Sequence, residues 1–118
     1  MANHHLTGKK GEELARLYLE RNDFVILHNN WRYSYYEIDI VAHKGGVLHF
    51  IEVKTRRSLH YGFPEESVSD QKMERLMKGA EAFLDQNPEW NRIQYDVLAI
   101  NIWKHKNPEF FFIEDVYL

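Results

Sequence analysis

A chain of 118 residues with a net charge of −3 can bury a core without covalent staples, and its length fits one domain spanning residues 1–118. It contains no cysteine, which excludes disulfides and thiolate chemistry and suits a reducing compartment. The acidic balance argues against a large sequence-independent DNA clamp, whose affinity rests on many phosphate contacts. A nuclease stays open, because it needs acids for a metal and only a local basic strip for the strand.

The apolar stretches are too short to span a membrane, and "MANHHLTGKK" lacks the apolar core of a signal peptide, so a cytoplasmic protein with no membrane partner is expected. "LTGKKGEELARLYLERND" predicts a first helix, with Thr7 as its cap and Leu14, Leu17 and Tyr18 at helical spacing. "FVILH" predicts a short strand. "YYEIDIVA" predicts a second, with Ile38 and Ile40 on one face and Glu37 and Asp39 on the other. The paired glycines of "HKGG" permit a tight turn into a third strand, "VLHFIEVK". A loop, "TRRSLHYGFPEES", leads to a second helix with Ser69 as a plausible cap. Its apolar stripe is Met73, Leu76, Met77, Ala80, Phe83 and Leu84, and Asn87-Pro88 ends it. "RIQYDVLAINI" and "EFFFIEDVYL" predict two further strands, with "FFFI" in the core. The order αβββαββ describes a mixed α/β domain with a central sheet flanked by helices.

"FIEVKTRR" breaks the pattern of a buried strand. Glu52 interrupts its apolar run, and Lys54 follows at the strand repeat, so both leave one face. A hairpin between the second and third strands brings Asp39 to that face. A two-residue loop at Lys44-Gly45 pairs Asp39 with Phe50 and leaves Glu52 diagonal to it; a four-residue loop pairs Asp39 with Glu52 directly. Two carboxylates this close repel unless they share a proton or hold a hard cation. Lys54 beside them is either a counter-ion of Glu52 or Glu37 or a group that orients water. On the first helix, Glu12 shares a face with Ala15 and Leu19, which draws it towards the interior; Glu13 shares a solvated face with Arg16 and Glu20.

The spacing from Asp39 to Glu52-Val53-Lys54 resembles the PD-(D/E)XK nuclease signature. "GKKGEELARLYL", "EIDIVA", "FIEVKTR", "YGFPEESV" and "YDVLAI" together resemble the YraN family, which is similar to archaeal Holliday junction resolvases. The resemblance covers nearly the whole chain. It implies a restriction-endonuclease-like core in which Asp39, Glu52 and the Val53 carbonyl ligate Mg²⁺ or Mn²⁺. It further implies that Glu12 completes the acidic site directly or through water, and that Lys54 positions the attacking water. The implied reaction is in-line hydrolysis of a phosphodiester in DNA, including branched DNA, and by analogy a homodimer supplies two sites. Ile38 stands where the signature has proline, and Tyr36 where YraN-type sequences usually carry glycine.

Arg56 and Arg57 are candidates for phosphate contact, as is Lys72 at the start of the second helix. Tyr61 and Phe63 in the preceding loop are candidates for stacking on unpaired bases or for anchoring that loop. Glu37 fits a structural role better than a ligand's. The seven histidines, among them His4-His5, show no ligand spacing. Two rival readings are a binding protein that keeps this fold without turnover, and an interaction domain that binds no nucleic acid.

Overall fold

The computed structural model describes residues 2–57 and 70–116, with the side chains of residues 9–56 and 71–116. Its elements are α1 (Ala2–Arg21), β1 (Val25–Tyr33), β2 (Tyr36–Lys44), β3 (Val47–Arg57), α2 (Asp70–Gln86), β4 (Ile93–Ile102) and β5 (Glu109–Ile113), in the expected αβββαββ order. The strands form one sheet in chain order. β1–β2, β2–β3 and β4–β5 are antiparallel, while β3–β4 is parallel, so the fold is α/β with a mixed sheet. A parallel join needs a crossover, and the segment containing α2 supplies it. Ser69, Tyr61 and Phe63 lie outside the described residues.

Each face of the sheet has its own core. On one, Ala15 and Leu19 of α1 pack with Phe24, Ile40, Ala42, Ile51, Leu98, Ile100 and Ile102. On the other, Leu76, Ala80 and Phe83 of α2 pack with Ile38, Val41, Leu48 and Phe50. Met73 and Leu84 flank this second cluster, so most of the expected α2 stripe is buried. At the helix end, the Asn87 amide donates to the Phe83 carbonyl at 3.0 Å. α1 approaches β3 closely at Gly11, where an added Cβ would stand 2.1 Å from Thr55 Oγ1.

The β2–β3 turn sets the site. Lys44 pairs with Val47, and both intervening glycines have positive φ, 58° at Gly45 and 81° at Gly46. Two such residues make the tight hairpin turn that glycine favours. Ile40 therefore faces Ile51, and the next step brings Asp39 opposite Glu52. This is the second of the two registers considered, reached by a Gly45-Gly46 loop two residues long rather than four. There the ladder stops. β2 continues with β1 alone to Tyr36, and β3 continues with β4 to Arg57, so the sheet forks at Asp39.

Several local expectations are corrected. α1 begins ahead of Thr7, which lies within the helix instead of capping it; no proline or glycine between Ala2 and Thr7 interrupts the helix. Leu17 is exposed, because the sheet-facing line is Gly11, Ala15 and Leu19. β1 runs on to Tyr33 through polar residues, held by its ladder to β2 and not by burial. Ile38 and Ile40 enter opposite cores, since beyond the fork β2 belongs to a two-stranded ribbon free to twist towards α2. Within "FFFI", Phe110 and Phe112 pack on the α1 core, but Phe111 is exposed: β5 is an edge strand, and α2 packs mainly on β1, β2 and β3.

Candidate functional site

The fork opens a cleft of about 200 Å³ on the α2 face, lined by Tyr35, Glu37, Asp39, Glu52, Lys72, Arg75 and Leu76. Its geometry follows from the interrupted ladder. Val53 has no backbone partner on β2, and its N–H donates instead to Asp39 Oδ2 at 2.8 Å. The Asp39 side chain thus stands where the next strand carbonyl would be. Its carboxyl also lies within hydrogen-bonding reach of Glu52.

Burial pushes the Asp39 carboxyl up to about 7, reinforced by the charges of Glu52 and Glu37 and opposed by the Val53 N–H. Burial also raises Glu52, while Lys72, Asp39 and Lys54 pull it back. Lys54 is held below its ordinary range, first by hydrogen-bonding contact with Lys72, then by burial and the Lys72 charge. Glu52 and Asp39 oppose that shift. Two acids and two lysines therefore share one small volume.

Of the residues singled out from sequence, Asp39, Glu52, Lys54 and Lys72 come together, with Val53 as the hinge between them. Arg56 shares the β3 face of Glu52 and Lys54 by strand alternation, extending the basic strip away from the acids. Arg57 ends β3, and its side chain lies outside those described. Glu37 lines the cleft and pairs with Arg32 at 2.5 Å.

Glu12 is not brought in. It is exposed, and Gly11 takes the place in the buried line that Glu12 was expected to approach. α1 covers the sheet face opposite the acids. Arg16 and Glu20 form the expected solvated pair at 3.0 Å. Among the described residues no group of three or more His, Asp or Glu side chains converges to hold a metal ion.

Three residues escaped the sequence reading. Arg75 lies one helical turn beyond Lys72 on the cleft side of α2, a spacing that could have found it. Tyr35 lines the cleft, whereas the neighbouring Tyr36 packs against Gly79 of α2. The third is Asp96, fully buried on the α1 face. Its Oδ2 meets His49 Nδ1 at 2.6 Å, and its Oδ1 accepts from Gln94 Nε2 at 2.8 Å and from the Asp115 N–H at 2.9 Å. An aspartate inside the apolar run "YDVLAI" signals such a network as clearly as Glu52 does in its own strand. A larger cleft of about 460 Å³ lies beside this network, between Tyr18, Phe24, His49 and Phe112, but no pair of acids lines it.

Comparison with known proteins places these residues in context. Residues 11–100 match a family described as Uncharacterised protein family UPF0102, which is the YraN family. A UPF0102 protein of Bacteroides fragilis is 40% identical over 100 residues, covering 85% of this chain and 83% of the relative. One from Flavobacterium johnsoniae is 40% identical over 118 residues, covering 97% and 93%. One from Rhodococcus jostii is 38% identical over 118 residues, covering 99% and 100%. No described helix is long and apolar enough to cross a membrane.

Proposed function

This chain belongs to the UPF0102 family, and we propose that it is a metal-dependent endonuclease that hydrolyses phosphodiester bonds in DNA. The carrying observation is the pair Asp39 and Glu52, brought within hydrogen-bonding reach of each other at the sheet fork, with the Val53 N–H on one Asp39 oxygen and Lys54 and Lys72 beside them. Two carboxyls this close either share a proton or hold a hard cation, and the cation takes the proton's place when metal binds.

The donor set fits Mg²⁺ or Mn²⁺. It is all oxygen, from Asp39, Glu52 and the Val53 carbonyl, and Mg²⁺ commonly uses one or two carboxylates while water and substrate phosphate fill its other positions. Glu12 is left out of this set because nothing ties it to the cleft. A bound ion supplies Lewis-acid polarisation of a phosphoryl oxygen. The remaining work falls to the chain's own groups. The Val53 N–H fixes the Asp39 carboxylate, so the acid is oriented before substrate arrives. Lys54, beside both acids, holds the attacking water and faces the charge that develops on the phosphate. Lys72 and Arg75 at the cleft wall, with Arg56 further along β3, hold the flanking phosphates.

The test is cleavage of labelled flap, four-way-junction, single-stranded and duplex DNA in Mg²⁺, Mn²⁺ and EDTA, with Asp39→Ala and Lys54→Ala alongside. Metal-dependent cutting that both variants abolish is expected. Binding without cutting in either metal would instead support a protein that keeps the fold but performs no hydrolysis. A homodimer, which would place two such sites on one branched substrate, is tested by the mass of the DNA complex.

A further inference from the structure

Beyond the fork, β1 and β2 form an arm that pairs with no other strand among the described residues, from Trp31↔Ile38 to Tyr33↔Tyr36. The arm is seated on α2 at its base. The Trp31 ring meets Phe83 edge-on at 5.2 Å, and Gly79 lets Ile38 and Tyr36 approach so closely that an added Cβ would lie 3.2 Å from Ile38 Cγ1. Arg32 and Glu37 tie its two strands at 2.5 Å.

At the tip of this braced arm, Tyr35 is 94% exposed, yet it lines the same cleft as Asp39 and Glu52. Ser34 before it takes the left-handed conformation, φ 55°, which fixes the turn that presents the ring. The ring contributes little to the core at that exposure, so its position is not explained by packing. It does stand a short step from where the reading above places the scissile phosphate.

We propose that Tyr35 is a stacking platform for the nucleotide flanking the scissile phosphate, and that the substrate class is therefore DNA with an unstacked base beside the cut: single strands, flaps or branch points. This rests on the nuclease reading for the position of the phosphate, but it makes a separate claim about the base. In an intact duplex each base face is covered by its neighbours, and a protein reaches only groove edges and backbone. A flat ring at the mouth of the cleft finds a π-face only where a base has left the stack. The basic groups of Lys72 and Arg75 attract any strand, whereas Tyr35 discriminates among them.

The experiment uses the full chain carrying Asp39→Asn, in Mg²⁺, so that binding is read without cutting. The DNA is a flap with 2-aminopurine at the unpaired position next to the branch, and a fully paired duplex of the same sequence. Fluorescence should fall on binding to the flap as the base stacks. Adding Tyr35→Ala should abolish that quench and weaken flap binding about 10-fold, with duplex binding unchanged; Tyr35→Phe should restore both. A quench that survives Tyr35→Ala, an equal loss on flap and duplex, or no DNA binding overturns the proposal. Cleavage by the wild-type chain is scored separately. Quenching without cutting sinks the nuclease reading and keeps the platform, and cutting indifferent to Tyr35 does the reverse.

Discussion

Two aspartates of this protein lie in one sheet on opposite faces, Asp96 fully buried and Asp39 half-buried, and they are treated in opposite ways. Asp96, on the α1 face, has every side supplied: the His49 ring, the Gln94 amide and the Asp115 N–H all meet its carboxylate. Asp39, on the α2 face, receives the Val53 N–H, has Lys54 nearby, and faces two other acids, Glu52 and Glu37. Burying a charge costs several kcal/mol unless partners compensate. Asp96 is compensated within the fold and ties β3, β4 and the chain beyond β5 together. Asp39 is compensated only in part, and the deficit can be met from outside by a cation. Burial alone does not mark a functional acid; burial with partners left to be supplied does.

The largest expected effect breaks the structural side of this contrast. Asp96→Ala strands the buried His49 ring and removes the acceptor shared by Gln94 and the Asp115 N–H, and should lower stability by about 3–5 kcal/mol, the usual cost of removing one member of a buried pair. Thermal unfolding should show it plainly, with or without Mg²⁺. If Asp96→Ala melted like the wild type, the network would not be structural and the comparison would fail.

Next comes the chemical side. Lys54→Ala and Asp39→Asn, which keeps an acceptor for the Val53 N–H, should each reduce DNA cleavage by about 100-fold or more, the scale of losing a group that meets transition-state charge, without lowering the melting temperature below that of the wild type. A loss of activity accompanied by unfolding would make Asp39 a second Asp96.

A smaller effect sharpens the idea that the deficit is met by a cation. Mn²⁺ or Mg²⁺ at about 100 times its dissociation constant should stabilise the wild type by about 2.7 kcal/mol. It should do little for Asp39→Asn. Differential scanning fluorimetry with titrated metal reads both, and equal stabilisation of the two proteins would place the metal elsewhere.

The last effect is in pH. The folded Asp39 carboxyl is raised to about 7 from 3.8, so between those values the native state holds a proton that the unfolded state has lost. Stability therefore falls as pH rises through that window. In EDTA, Asp39→Asn should escape this penalty: its advantage over the wild type should be near zero at about pH 4, grow up to about pH 7 and level off above. Urea titrations across the range measure it, and an advantage constant with pH would show that Asp39 is not strained by its charge.

The acids were readable from sequence because strand alternation and a glycine turn leave few registers, and either of the even-length ones keeps Asp39, Glu52 and Lys54 on one side. Glu12 was misread because helical periodicity was counted on apolar side chains. Gly11 has none, yet it is the residue that touches β3, so the buried line passes one position before Glu12. The outer half of β1 was missed because "NNWRY" shows no alternation; its order comes from pairing with β2, which local composition does not record. Asp96 was overlooked for a related reason. Its partners His49 and Asp115 are brought to it by the parallel β3–β4 pairing and by the chain after β5, contacts that lie far apart along the sequence; Gln94 alone is local.

The bond from the Val53 N–H to Asp39 has a consequence for descent as well as for chemistry. Because that carboxylate fills the place of a strand carbonyl, it also acts as a stop that keeps β2 and β3 from zipping shut over the cleft. A lineage that gave up hydrolysis but kept the fold could discard Lys54 or Lys72 without disturbing any ladder. It could not as readily discard an oxygen acceptor at Asp39. Among relatives, the first trace of a retired enzyme should therefore be written in the lysines, with the aspartate outlasting the reaction it once served.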